Sequence, residues 1–86
     1  MSLESELTAL TRKYLASEVD LHELYMWVQD RQEAIAKLPL ESITNELSGT
    51  IMLASIEKSG GYRDEASARD YIAQDFVRLL GASSHL

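Results

Sequence analysis

The stretch ASEVDLHELYMWVQD, residues 16–30, contains the clearest helix-start signal in the chain. Asp20, followed three residues later by Glu23, resembles a capping box, in which two side chains bond the free N–H groups of a first helical turn. Val19 and Leu24 occupy the two positions of a hydrophobic staple, which fixes the direction in which the chain enters the helix. A helix is therefore predicted to begin directly after Asp20.

The apolar residues of this helix recur at helical spacing and predict one buried face. The residues on that face are Leu21, Leu24, Val28 and Ile35, with Trp27 and Leu38 on one margin and Tyr25 on the other. Residues 24–28 are all large and apolar, which is more than one face can bury. Met26 falls nearly opposite the core, so its apolar surface is a surplus that packing within one helix does not explain.

The same periodicity in the rest of the chain predicts three other helices and a short tail. The four helices are expected at about residues 3–16, 21–37, 40–58 and 65–80, with 81–86 as a loose tail. Pro39 separates the second helix from the third, and the short link predicts that these two are antiparallel neighbours. The chain is therefore predicted to be a single all-α domain, an antiparallel four-helix bundle.

The predicted helix ends rest on residues with known capping preferences. Ser2 and Asp64 are expected as N-caps of the first and fourth helices. The third helix is expected to begin at Leu40 and to end at Gly60-Gly61, because glycine readily takes the left-handed conformation that ends many helices. Gly81 is expected to end the fourth helix for the same reason.

Composition limits the classes of function that the chain can have. Its 86 residues allow one modest core, and 14 acidic against 8 basic residues give a net charge of −6. This balance argues against binding nucleic acid or an anionic membrane, and it favours a basic partner. The chain has no cysteine, no signal peptide and no apolar run of membrane-spanning length, so a cytoplasmic location is expected.

The sequence contains no recognisable catalytic or metal-binding motif. His22 has no second histidine at helical spacing and is expected to be exposed, while His85 falls in the tail. Ser48-Gly49 lacks the flanking glycines of a nucleophile elbow, and Gly60-Gly61 lacks the Lys-Ser/Thr continuation of a phosphate-binding loop. The chain is therefore expected to be non-enzymatic, with no cofactor and no metal ion.

Two surfaces remain as candidates for binding. The first is an acidic strip on the second helix, around two large hydrophobic residues: Glu23, Met26, Trp27, Asp30 and Glu33. The second is an apolar cluster on the third helix, turned away from its core stripe and suited to self-association: Met52, Leu53 and Ile56. Interface centres favour Met and aromatic residues, but a charged outer face is also the ordinary solvated side of a helix.

Residues 10–32, LTRKYLASEVDLHELYMWVQDRQ, resemble the start of the colicin D immunity protein family, a group of small bacterial proteins. The matching elements are Tyr14-Leu15-Ala16-Ser17, Val19, Asp20 and Glu23-Leu24. Residues 60–72, GGYRDEASARDYI, also resemble the loop and the acidic start of the last helix in that family. The resemblance implies a four-helix antiparallel bundle that binds a tRNA-cleaving nuclease toxin and blocks its positively charged active site with acidic residues.

Three functions therefore remain open from the sequence, of which an enzyme or metal-binding protein is the least favoured. The leading hypothesis is a protein-binding module, with a basic nuclease toxin domain as the partner that the resemblance implies. The alternative is a small helical homodimer with a structural or regulatory role.

Overall fold

The computed structural model describes the backbone of residues 2–83 and the side chains of residues 2–81. Its helices are α1 (Leu3–Leu15), α2 (Leu21–Asp30), α3 (Gln32–Ala36), α4 (Ile43–Ser59) and α5 (Glu65–Ser83). Residues 2–83 contain no strand, so the predicted all-α class is confirmed. The described part of the chain forms five helices where the sequence predicted four.

The four long helices all begin with the same hydrogen bond. A side-chain oxygen of the residue before the helix accepts a bond from the backbone N–H three positions later. These capping residues are Ser2, Asp20, Ser42 and Asp64, at distances of 3.1, 2.9, 3.1 and 2.8 Å. The predicted caps Ser2, Asp20 and Asp64 are therefore confirmed.

The predicted second helix, 21–37, is wrong as one continuous element, because the backbone breaks at Arg31. In an unbroken helix the N–H of Arg31 would bond the carbonyl of Trp27. Here it bonds the carbonyl of Val28 at 3.1 Å, and the Arg31 guanidinium donates to the Trp27 carbonyl at 3.2 Å. The side chain has thus taken the acceptor that would have continued the helix.

The sequence predicts that the third helix begins at Leu40, but α4 begins at Ile43. Pro39 starts a turn that closes with a 3.0 Å bond from the N–H of Ser42 to the carbonyl of Pro39, and Ser42 then caps α4. Leu40 lies in the turn and is 79% exposed, so it is not part of the core stripe. The capping hydroxyl of Ser42 decides where the helix begins.

The last helix passes through Gly81 and continues to Ser83, so Gly81 does not end it as predicted. A glycine inside a helix costs only about 1 kcal/mol relative to alanine, which is too little to stop a helix that packs on the core just before it. The predicted loose tail, 81–86, is therefore helical at 81–83, and residues 84–86 lie outside the described part of the chain.

The core is centred on α4, which contacts each of the other four helices. Its buried apolar residues are Leu47, Ile51 and Ala54, and the first two have no exposed surface. The other helices contribute Leu7, Tyr14, Leu21, Leu24, Val28, Ile35, Ala68, Ile72, Phe76 and Leu79. Leu21, Leu24, Val28 and Ile35 are buried as predicted.

Within residues 2–83, no helix is both long enough and apolar enough to cross a membrane.

Candidate functional site

The outward face of α2 consists of Glu23, Met26 and Asp30, with Trp27 at its margin. The cap at Asp20 sets the rotation of this helix, so that Leu21, Leu24 and Val28 are buried. Met26 therefore points away from the core and is 40% exposed. Glu23 and Asp30 are also exposed, one helical turn before and after Met26.

Trp27 is half-buried and packs against the core cluster. The guanidinium of Arg31 lies 4.5 Å from the centre of its ring, which is the geometry of a cation–π contact. Arg31 was not among the predicted site residues, although its spacing of four residues from Trp27 is that of side chains in contact on a helix. The acidic strip therefore has a positive charge at its Trp27 margin.

Glu33 is exposed, but it lies on α3, beyond the break at Arg31. The sequence placed it on one continuous strip with Glu23 and Asp30. Because the break separates the two helices, the outward face of α2 carries only the first two carboxylates of that strip.

The second candidate surface lies on α4. Leu53 and Ile56 are 44% and 60% exposed, and Met52 is half-buried against the core cluster. Gly49 is exposed on the same side, one turn before Leu53. We call these four residues the α4 strip. The buried residues of α4 lie on the opposite side, so this helix is apolar on both its inner and its outer faces.

Two shallow depressions follow the seam between α2–α3 and α4. The first has a volume of about 440 Å³ and is lined by Leu21, His22, Tyr25, Ser55, Ile56, Lys58 and Ser59. The second has a volume of about 300 Å³ and is lined by Val28, Gln32, Ile35, Ala36, Asn45, Ser48, Gly49 and Met52. No carboxylate lines either one. In a chain with 14 acidic residues, this seam differs sharply in charge from the outward face of α2.

The hydrogen-bonding groups of α4 also shape the second depression. Asn45 donates its amide to the carbonyls of Ile35 at 3.2 Å and Leu38 at 3.3 Å, so it holds the end of α3 against α4. The hydroxyls of Ser48 and Ser55, seven residues apart on α4, are buried and have no hydrogen-bond partner among the described residues. Sequence periodicity carries no signal for these contacts, because they depend on how two helices meet.

Tyr14 is the centre of a polar cluster that joins α1 to α5. Its side chain is fully buried, and its hydroxyl donates to the carboxylate of Glu65 at 2.9 Å. Arg69 stacks 4.7 Å from the Tyr14 ring and donates to the Tyr14 carbonyl at 2.7 Å. Burial, and then the bond to Glu65, raise the pKa of Tyr14 well above its usual value. The cluster's polar groups bond each other across two helices.

The described residues contain no constellation suited to metal chemistry. No three His, Cys, Asp or Glu side chains within residues 2–81 lie close enough to hold a metal ion. His22 is exposed, as the sequence predicts, at the rim of the first depression. His85 lies outside the described residues.

The chain matches no protein-family model, no curated protein and no solved structure. The resemblance of residues 10–32 and 60–72 to the colicin D immunity proteins therefore stays a prediction.

Proposed function

We propose that this chain binds another protein through the outward face of α2 and has no catalytic role. The exposure of Met26 carries the proposal, because a large apolar side chain lies at the surface with a carboxylate one turn to either side. Interface centres are enriched in Met and aromatic residues, and charged rims steer partners of opposite charge. The partner is expected to present a basic surface around an apolar pocket.

The net charge of −6 supports a basic partner, since it attracts positively charged proteins over a distance of about 10 Å at moderate salt. The resemblance to the colicin D immunity proteins suggests one such partner, a nuclease toxin domain that cleaves tRNA. In this case the chain would block the basic active site of the toxin. The proposed setting is the cytoplasm, where the tRNA substrate is found.

The proposal treats α1, α2, α4 and α5 as an antiparallel four-helix bundle with α3 as a short extension. The contacts between α4 and α5 support this, since Thr50 bonds Asp75 while Lys58 lies 3.5 Å from Glu65. The end of α4 is thus beside the start of α5. In such a bundle the outward face of α2 is open to a partner along its whole length.

The role of Met26 is tested by truncating it. Met26→Ala is expected to weaken partner binding about tenfold, because it removes the apolar centre of the interface, and to leave folding stability within about 0.5 kcal/mol. Val77→Ala is the matched control, because Val77 is an exposed apolar residue on α5. Calorimetry would measure binding to the product of the neighbouring reading frame and to purified basic tRNA-cleaving nuclease domains.

Charge reversal tests the acidic rim separately. Glu23→Lys with Asp30→Lys should slow association and reduce its dependence on salt, whereas Glu4→Lys with Asp70→Lys, at exposed positions on α1 and α5, should have a smaller effect. Equal binding by Met26→Ala, the α2 charge variant and the wild type would contradict the proposal. It would also fail if none of these nuclease domains bound the wild type and no partner were recovered from the source cell.

A further inference from the structure

The α4 strip, Gly49, Met52, Leu53 and Ile56, has a property that the fold of one chain does not explain. Its spacing of three, one and three residues places all four on one side of the helix. Leu53 and Ile56 are 44% and 60% exposed, which leaves about half of each apolar side chain in contact with solvent. Clustered exposed apolar residues of this kind mark interaction surfaces more often than isolated ones do.

Gly49 is the most informative residue of the strip. It is exposed inside a helix, where glycine costs about 1 kcal/mol relative to alanine. A Cβ atom built on Gly49 would meet no atom of the described chain within 4 Å, and the backbone there is not left-handed. No packing within the monomer therefore requires glycine. The bare backbone instead leaves a notch, open to solvent, beside the depression that Met52 and Ser48 line.

The strip is complementary to itself. Gly49 and Ile56 lie equally far on either side of the bond between Met52 and Leu53. A two-fold axis at that point, with two α4 helices antiparallel, places each Ile56 over the Gly49 notch of the other chain. The same axis brings Leu53 of each chain against Leu53 of the other, and Met52 against Met52. Such an interface is isologous and closed, so it produces a dimer and not a filament.

Charge also favours a second copy at this face. The strip carries no charged side chain, and the depression beside it is lined by no carboxylate, so two chains of net charge −6 meet less repulsion here than at the outward face of α2.

We propose that the α4 strip is the interface of a homodimer, with α4 paired antiparallel to α4 and Ile56 seated over Gly49 of the second copy. The interface is small, so the dimer is weak and in exchange with monomer. It uses a different surface from the outward face of α2, so it goes beyond the proposed function and either proposal can fail alone.

The first test is the oligomeric state, measured by sedimentation velocity from about 10 µM to about 1 mM, the range in which a small interface associates. The wild type is expected to shift from monomer to dimer across this range. Ile56→Glu should weaken the dimer at least tenfold, whereas Val77→Glu, at an equally exposed apolar site on α5, should not. Circular dichroism would check that each variant is folded. If Ile56→Glu does not fold, Leu53→Lys is the second variant that tests the interface.

The second test reports the direction and register of the helices. Because the chain has no cysteine, any disulfide must form at introduced positions. Leu53→Cys, next to the proposed axis, should cross-link to itself. Gly49→Cys should link to Ile56→Cys in a mixture and poorly to itself, because the axis holds the two copies of position 49 about 10 Å apart, beyond disulfide reach. Val77→Cys is the control that should form no disulfide between chains.

Three results would overturn the proposal. A wild-type chain that is monomeric at about 1 mM would exclude the dimer and leave the strip to a helix of another protein. A dimer that survives Ile56→Glu and Leu53→Lys, both folded, would place the interface elsewhere. Preferential linking of Gly49→Cys to itself would show a parallel or shifted pairing. If Met26→Ala lost partner binding but still formed the dimer, the result would support the proposed function and would leave the dimer proposal unchanged.

Discussion

At the scale of single residues, Ser17 and Gly61 end their helices in the same left-handed conformation, although one is serine and the other glycine. Each follows a helix and has a left-handed backbone, with φ of 64° and 82°. Each donates its N–H to the carbonyl three residues earlier, at 3.0 Å for Ser17 and 3.2 Å for Gly61. The N–H of the next residue, Glu18 or Tyr62, bonds a carbonyl five residues earlier at 2.8 Å, which completes a Schellman motif. Glycine adopts this conformation without steric cost, whereas serine does not.

Ser17→Gly is therefore expected to stabilise the fold by about 0.5–1 kcal/mol. Glycine removes the conformational strain energy of the left-handed serine from the folded state. This gain is larger, by about the stated amount, than the free energy by which glycine's added flexibility stabilises the unfolded chain. Gly61→Ala is the converse variant and should destabilise by about 1 kcal/mol. Urea unfolding monitored by circular dichroism measures both. If Ser17→Gly proved less stable than the wild type, the serine side chain would have to make a contribution that its exposed position does not indicate.

At the scale of helices, three of the four predicted starts and the buried face of α2 are correct because they depend on neighbouring residues, whereas α4 begins at Ile43 and not at Leu40. Asp20, Ser2 and Asp64 act through bonds to N–H groups three residues away, and the buried face of α2 follows from spacing alone. The exposure of Met26 was predictable for the same reason. The break at Arg31 was not predicted, because an arginine side chain mostly extends into solvent and the sequence does not show that this one bonds the Trp27 carbonyl four residues earlier.

Asn45 is the distant contact that holds α3. Asn45→Ala removes two hydrogen bonds to the carbonyls of Ile35 and Leu38, and it is expected to cost about 1–2 kcal/mol in unfolding free energy. Amide hydrogen exchange should rise most at residues 32–38, because those carbonyls end α3. Gln29→Ala is the control, since it removes an exposed amide from the neighbouring helix. Uniform loss of protection along the chain would show that α3 has no separate local stability.

At the scale of the whole molecule, α5 is joined to the other helices by polar contacts as well as by its core face. Thr50 of α4 donates to Asp75 at 2.6 Å, and Arg63, just before α5, bonds Glu57 of α4 at 2.8 Å. On the other side, Tyr14 bonds Glu65. The Thr50–Asp75 and Tyr14–Glu65 bonds join residues 25 and 51 positions apart, so no local sequence pattern could have predicted them. Only the Tyr14 contact includes a fully buried ionisable group, and this makes it sensitive to pH.

Tyr14 should make the stability of the fold fall in alkali. Its pKa is raised on folding, mainly by burial and then by the hydrogen bond to Glu65, above the unfolded value of about 10. The protonated side chain therefore contributes its full stability below about pH 10, and this contribution is lost as pH rises toward the folded pKa. Tyr14→Phe removes this group and is expected to cost about 1 kcal/mol at pH 7. Above about pH 10 the advantage of the wild type over Tyr14→Phe should shrink by up to about 1.4 kcal/mol per pH unit.

Urea unfolding at pH 7, 9, 10 and 11 measures this difference directly. Tyr62→Phe is the matched control, because Tyr62 is 87% exposed. General alkaline effects on lysine and the other tyrosines are common to the wild type and Tyr14→Phe, so they cancel in the comparison. A constant difference between the wild type and Tyr14→Phe from pH 7 to 11 would mean that Tyr14 ionises freely in the folded chain. In that case the link between α1 and α5 would open at little cost, and α5 could separate from α1 while the core around α4 stayed intact.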